Sequence, residues 1–352
     1  MRETAEVVSL TIVRETTKGE ILTGVKQEFI KEDKAVDNRK VFAYRVFIRF
    51  IRSIAVAFWV TVIAFTLIRL APGDPAQSRL GPSAEPEAVE ALRKQLGLDV
   101  HPVEQFFNFF RNLIVNGDMG TSLQFDRSVT DLIFTALPVT LWLIGFSVII
   151  SIFIAIPLSL FVATSNNIFV AYLFRSSTAI SIALPNFFIA LIGILLFSIR
   201  YNWAPLLGYI PSFPENLRFL WLPAVVNATT LVAILSRVLY SSIFDTLREE
   251  FVETGVIRGI GRIRFLWFYI LKPSLAPTVV LLSYIMGVML GTTVIMESVF
   301  ALPGIGTELI NAVMARDYPT VQGITFIFGV IVVFFSFFGD LLAYWLDRRV
   351  KF

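Results

Sequence analysis

The 352-residue chain has no cysteine and a single histidine. The first absence excludes a disulfide framework and any thiolate metal site, and the second excludes a histidine cage, because His101 has no ligand-forming neighbours and reads as a solvated loop residue. No stretch has the Gly-Lys-Ser/Thr ending of a P-loop, so the chain lacks a means of cradling nucleotide phosphates in that manner. No GxSxG elbow or HExxH pair suggests a hydrolase buried in a membrane. Charge is also scarce, with Asp, Glu, Lys and Arg forming 16% of the residues.

What replaces charge is apolar surface: 56% of residues are hydrophobic, 34 of them Phe, and the mean hydropathy is +0.73. That composition predicts an all-α polytopic membrane protein, since lipid offers backbone amides no hydrogen-bond partner outside a helix. A formal net charge of +3 does not imply nucleic acid, because the basic residues cluster beside apolar runs instead of forming one stripe. They read as orientation signals.

Runs of about 20 apolar residues, the length that crosses a hydrocarbon core, suggest about six spans. They are Ile51 to Leu70, Leu137 to Thr164, Thr178 to Ile199, Leu220 to Tyr240, Ala276 to Val299 and Ile324 to Trp345. Residues 1–45 form a polar tail without the apolar core of a signal peptide, so the first run reads as a retained span. Residues 46–352 form the transmembrane domain, with an extracytoplasmic helical segment at 71–135 and a cytoplasmic loop at 241–275. Arg39, Lys40, Arg45, Arg49 and Arg52 before the first span, and Arg348, Arg349 and Lys351 after the last, predict both termini on the cytoplasmic side.

Within 71–135, Ser83 is a candidate cap for a helix carrying Val89, Leu92 and Leu96 on one stripe. VEQFFNFFRNLIV reads as a second amphipathic helix, with Phe106, Phe107, Phe109 and Phe110 packed on a neighbour or lying at the interface. In the cytoplasmic loop, Tyr240, Phe244, Leu247 and Phe251 share a helical face, and a further short helix is expected after Gly259 or Gly261. Gly255 lowers helix propensity, which predicts a less rigid loop.

Polar side chains inside the spans are costly unless they face protein or water. Asn186, Asn227, Thr230, Thr292, Thr293 and Glu297 are therefore candidates for lining a path. For the hydroxyls, hydrogen bonding to the preceding turn is an equally good account. Glu297 is also placed to pair with Arg316 or to anchor the following PGIG turn.

Several ordered stretches resemble one family. RLAPGDPA (Arg69 to Ala76), LGLD (Leu96 to Asp99), GDMGTS (Gly117 to Ser122), ESVFALPGIG (Glu297 to Gly306) and RDYPTVQG (Arg316 to Gly323) are similar to elements of the B-type permeases of the dipeptide/oligopeptide/nickel ABC importers. In the cytoplasmic loop, Glu253-Thr254-Gly255, three residues, then Gly259 resembles that family's Glu-Ala-Ala, three residues, Gly pattern, with Gly where Ala is usual. Tyr240 stands where many relatives carry Arg, and DRRVKF lacks the usual Pro after Asp347.

The resemblance implies a type I ABC importer permease in a prokaryotic plasma membrane, forming half of a pore beside a homologous C-type permease. It further implies two ATPase subunits that hold ATP and Mg, with no cofactor on this chain, and an extracytoplasmic solute-binding protein. Glu250, Glu253, Thr254, Gly255, Arg258 and Gly259 would couple to an ATPase, and Glu85, Glu87, Arg316 and Asp317 would meet the binding protein. A stand-alone ion-coupled transporter is the rival reading. Broken midplane helices and an inverted repeat would favour it, and neither is clear in the sequence.

Overall fold

The computed structural model describes residues 48, 51–52, 54–70, 73–81, 83–95 and 97–346. The expected N-terminal tail, most of its basic flank and the basic C-terminal flank lie outside the described residues. The described chain runs α1 (Ile54–Leu70), α2 (Pro75–Leu80), α3 (Pro86–Gln95), α4 (Pro102–Asn116), α5 (Val129–Thr164) and α6 (Ile168–Ala183). It continues through α7 (Asn186–Arg200), α8 (Leu217–Thr246), α9 (Glu250–Ile257), α10 (Arg262–Val299), α11 (Ile305–Ala315) and α12 (Tyr318–Leu346).

Four helices, α5, α8, α10 and α12, are long and apolar enough to cross a membrane among the described residues. The α6–α7 pair passes the same test together but bends by 94°, so the expected straight third span is corrected to two helices. Leu184 takes an extended conformation, φ −78° and ψ 128°, immediately before Pro185. A residue preceding proline is pushed out of the helical region, which ends α6 there. Asn167 caps α6 by accepting from the Phe169 amide at 2.9 Å. Among the described residues the first expected span is the apolar helix α1, and residues 48, 51 and 52 before it are helical as well.

The core lies between α5, α8 and α10. Val139 and Leu143 of α5 pack with Leu220, Leu222 and Val226 of α8 and Met296 of α10, and deeper along the same helices Ile144 and Val148 meet Leu231, Leu235 and Leu290. Small residues allow close approach: a Cβ on Gly339 of α12 would fall onto Ser283 of α10. Packing at small residues is how helices associate where lipid removes the hydrophobic drive. Wider, π-helical turns interrupt α7 at Ile194–Arg200 and α10 at Leu266–Leu271.

At the α1 and α12 end of the fold, α4 folds back along α1. The Phe106 ring stands 5.0 Å from that of Phe65 and 5.9 Å from Phe58, and Phe110 reaches Phe326 of α12 at 6.2 Å. These rings are packing residues, as expected. The α3 helix opens at Pro86, three residues past Ser83, so Ser83 is not its cap. His101 is exposed and caps α4, its Nδ1 accepting from the Val103 amide at 3.3 Å.

Candidate functional site

The loop between α8 and α10 is a short helix set across two buried anchors. Glu249 precedes α9 in an extended conformation, and Glu250 and Glu253 occupy its first turn, where negative charge complements the helix dipole. The helix ends in a Schellman turn: the Gly259 amide donates to Val256 at 3.0 Å and the Ile260 amide to Gly255 at 3.4 Å. Gly259 has φ +64°, a left-handed conformation that glycine adopts without a Cβ penalty. Nothing stands within 4 Å of where its Cβ would be. Gly259 is thus required by the turn before any close approach of a partner is considered.

Gly255 has a packing reason. Its Cβ would lie 3.0 Å from the Phe265 ring and 3.2 Å from Tyr269, so the absent side chain lets α9 seat on the first turns of α10, with Val252 buried beside it. The expectation of a looser loop at Gly255 is corrected by this contact. Tyr240 and Phe244 stack at 6.2 Å on α8, but α8 stops at Thr246 and Phe251 belongs to α9. The single four-residue face is therefore split between two helices. The next helix does open after Gly261, as the sequence suggested. The two arms of the loop are tied where the Ser274 hydroxyl lies 2.9 Å from that of Thr246.

The outward face of α9 is mixed. Val256 is 63% exposed and Ile257 80%, and Ile263 on the adjoining turn is 76% exposed. Glu250, Glu253, Thr254 and Arg258 are exposed around them. An apolar ridge rimmed by both signs of charge is suited to seating in a groove on another protein.

The six residues expected to line a path separate into distinct environments. The Thr230 hydroxyl of α8 donates to Asn186 Oδ1 of α7 at 2.7 Å, which ties the α6–α7 bend to the core. Thr292 and Thr293 donate to the preceding turn, at 3.2 and 3.1 Å; Thr293 is fully buried and Thr292 exposed. Asn227 is 4% exposed, and neither side-chain polar atom has a hydrogen-bond partner.

Glu297 is fully buried. Its carboxylate accepts from the Thr140 hydroxyl of α5 at 2.5 Å and from the amides of Gly306 and Thr307 at 2.8 and 3.0 Å. Thr140 Oγ1 in turn accepts from the Ile305 amide at 3.1 Å. Glu297 and Thr140 therefore clamp the otherwise unpaired N-terminus of α11. Burial removes Asn227, Thr293 and Glu297 from any open path through this arrangement of the chain. Glu297 anchors the PGIG turn and is not bonded to Arg316.

On the α3 and α11 side, Glu85 and Glu87 are exposed. Arg316 caps α11 in the left-handed region, and its guanidinium fills the space that a Cβ on Gly73 would take. Asp317 is fully buried: it accepts from the Ser122 hydroxyl at 2.5 Å, the Thr320 hydroxyl at 2.8 Å and the Thr320 amide at 3.3 Å. A buried carboxylate holding the GTS loop to the start of α12 presents nothing to a docking protein, so Asp317 is corrected from a surface contact to a brace. Sequence reasoning missed Ser122 and Thr320 as its companions, and Thr140 as the companion of Glu297. Ser122 lay in a noted motif, but Thr140 is a lone hydroxyl on an apolar helix, 157 positions from Glu297.

Among the described residues no group of three or more His, Asp or Glu is placed to hold a metal. The chain matches the model of the binding-protein-dependent transport system inner membrane component over residues 155–352. It matches the N-terminal model of the same membrane component over residues 43–144. It is 34% identical over 299 residues to a putative peptide permease protein of Brucella suis, covering 83% of this chain and 93% of the relative. A dipeptide transport system permease protein of Alkalihalophilus pseudofirmus is 28% identical over 327 residues, covering 86% and 98%. An oligopeptide transport system permease protein of Bacillus subtilis is 29% identical over 310 residues, covering 86% and 98%. With two family models spanning most of its length, the chain belongs to the inner-membrane components of the binding-protein-dependent transport systems.

Proposed function

We propose that this chain is the permease subunit of an ATP-driven importer of peptides, forming half of a translocation pore with a homologous C-type permease. The observation that carries the coupling part of this reading is α9: an exposed ridge of Val256 and Ile257, rimmed by Glu253 and Arg258, on a loop between two membrane helices and braced at Gly255. A rigid ridge transmits movement from whatever grips it. Two ATPase subunits holding ATP and Mg are the proposed grip, and the permease itself hydrolyses nothing. The relatives named as dipeptide and oligopeptide permeases support a peptide cargo, delivered by an extracytoplasmic solute-binding protein that meets the exposed Glu85 and Glu87 region. Both termini and α9 are assigned to the cytoplasm.

The rival ion-coupled transporter draws support from one observation, the 94° break between α6 and α7, since broken helices bind cargo in that class. Family membership outweighs it. The deciding experiment is peptide uptake into vesicles carrying the chain with its candidate partners. Uptake should require ATP and each partner; uptake by this chain alone, driven by an ion gradient, would overturn the proposal.

A further inference from the structure

Beside the α9 ridge, on the flank where α5 meets the first turns of α10, lies an apolar groove of about 430 Å³ with no charged lining residue. Its walls include Ile152, Ile156 and Leu160 of α5 and Ile263, Leu266 and Trp267 of α10. Residues 152–160 rise about 12 Å along α5, most of the roughly 15 Å depth of one leaflet's hydrocarbon. Phe153, also on this wall, is 76% exposed and Trp267 57%.

Two arginines stand within one helical turn of this wall. Arg262 stands one turn before Leu266, and Arg264 one turn before Trp267, spacings that place side chains as neighbours on a helix. Both arginines are exposed, and neither is in any of the described ion pairs, which join Arg79 to Asp126 and Arg93 to Asp74 and Glu90. An apolar groove spanning most of a leaflet's depth, with two guanidinium groups one turn from its wall, matches a phospholipid, with its chain in the groove and its phosphate at the fork-shaped donors.

We infer that this groove binds an anionic phospholipid of the leaflet bordering the α9 loop, an acyl chain lying between α5 and α10 and the phosphate on Arg262 and Arg264. Because the lipid touches the same turns, Phe265 to Tyr269, that seat Gly255, it would brace the coupling helix from the membrane side. The inference rests on residues 262–271 bordering a leaflet and not on the direction of transport or the identity of the cargo.

Trp267 provides the probe. The assembled transporter would be placed in vesicles whose brominated chains are carried by phosphatidylglycerol in one series and by phosphatidylcholine in the other. The Trp267 signal is isolated by subtracting the spectrum of Trp267→Phe. Brominated phosphatidylglycerol should quench it at about tenfold lower mole fraction, within what two surface arginines provide. In Arg262→Gln/Arg264→Gln that preference should vanish while quenching persists, and Arg262→Lys/Arg264→Lys should retain part of it. Equal quenching by both headgroups in the unaltered chain would overturn the site, as would no quenching by either, which would mean that a protein subunit covers the groove. The comparison in the unaltered chain, with exposed Trp267→Phe as its one reference, decides even if the arginine variants fail to assemble.

Discussion

Replacing Glu297 by Ala should separate bracing from cargo contact. In the structure its carboxylate accepts from two backbone amides, those of Gly306 and Thr307, and from the Thr140 hydroxyl, all within 3.0 Å. The Thr140 hydroxyl can rotate, but the two amides are fixed by the start of α11. Each buried donor left unsatisfied costs about 1–3 kcal/mol, so Glu297→Ala should lose roughly 2–6 kcal/mol of stability. Both amides share Oε2, so Glu297→Gln can keep them on its one accepting oxygen and turn its NH2 group toward the Thr140 hydroxyl, which then accepts instead of donating; the loss should be about 1 kcal/mol, well below that of Ala. The assay is the thermal midpoint of the purified transporter, followed by tryptophan emission or by size-exclusion profile after heating, beside peptide uptake in vesicles. A clear drop for Ala, a smaller one for Gln, and uptake falling in proportion to folded protein are expected. An unchanged midpoint with uptake abolished would refute the clamp and return Glu297 to the translocation path.

At Gly259, Leu and Ala should both strain the left-handed turn by about 1–2 kcal/mol, whereas Asn, which tolerates that conformation, should keep ATPase binding and uptake. Equal failure of Asn and Leu in co-purification and uptake would show that the site needs empty space and not only a left-handed residue. Gly255→Leu should drive α9 off Phe265 and Tyr269 and abolish peptide-stimulated ATP hydrolysis while membrane insertion continues, and Gly255→Ala should be tolerated after a ring shift of a few tenths of an ångström; a fully coupled Leu variant would refute the seat. In this cysteine-free chain, a cysteine at exposed Ser83 or Glu87 should react with a membrane-impermeant thiol reagent in intact cells and one at Glu249 should not, the reverse pattern overturning the assigned orientation. Burial pushes the Glu308 carboxyl above its ordinary range, partly offset by Arg127. The folded state then binds the proton more tightly than the unfolded chain, so this group favours folding at acid pH and that favour is lost as pH rises through its raised folded value. Glu308→Gln should accordingly raise the thermal midpoint at neutral pH and lose that advantage below about pH 4, near the ordinary glutamate value.

The sequence by itself determined the class, the places of the apolar helices and the position of the α9 loop. Lipid permits only helices, and charged, glycine-marked segments between apolar runs have nowhere else to go. Tertiary structure decided what individual polar residues do. Glu297 and Asp317 look like pathway or surface groups when read along the chain, because their partners Thr140 and Ser122 are 157 and 195 positions away. Only folding brings those hydroxyls within 2.5 Å. The helix break was not legible: Pro185 stands at it, but prolines 138, 157, 223 and 277 sit inside continuous helices. Gly255 and Gly259 mark the same motif in sequence and differ in space, one empty because Phe265 and Tyr269 press against it and the other because its φ of +64° disfavours a Cβ.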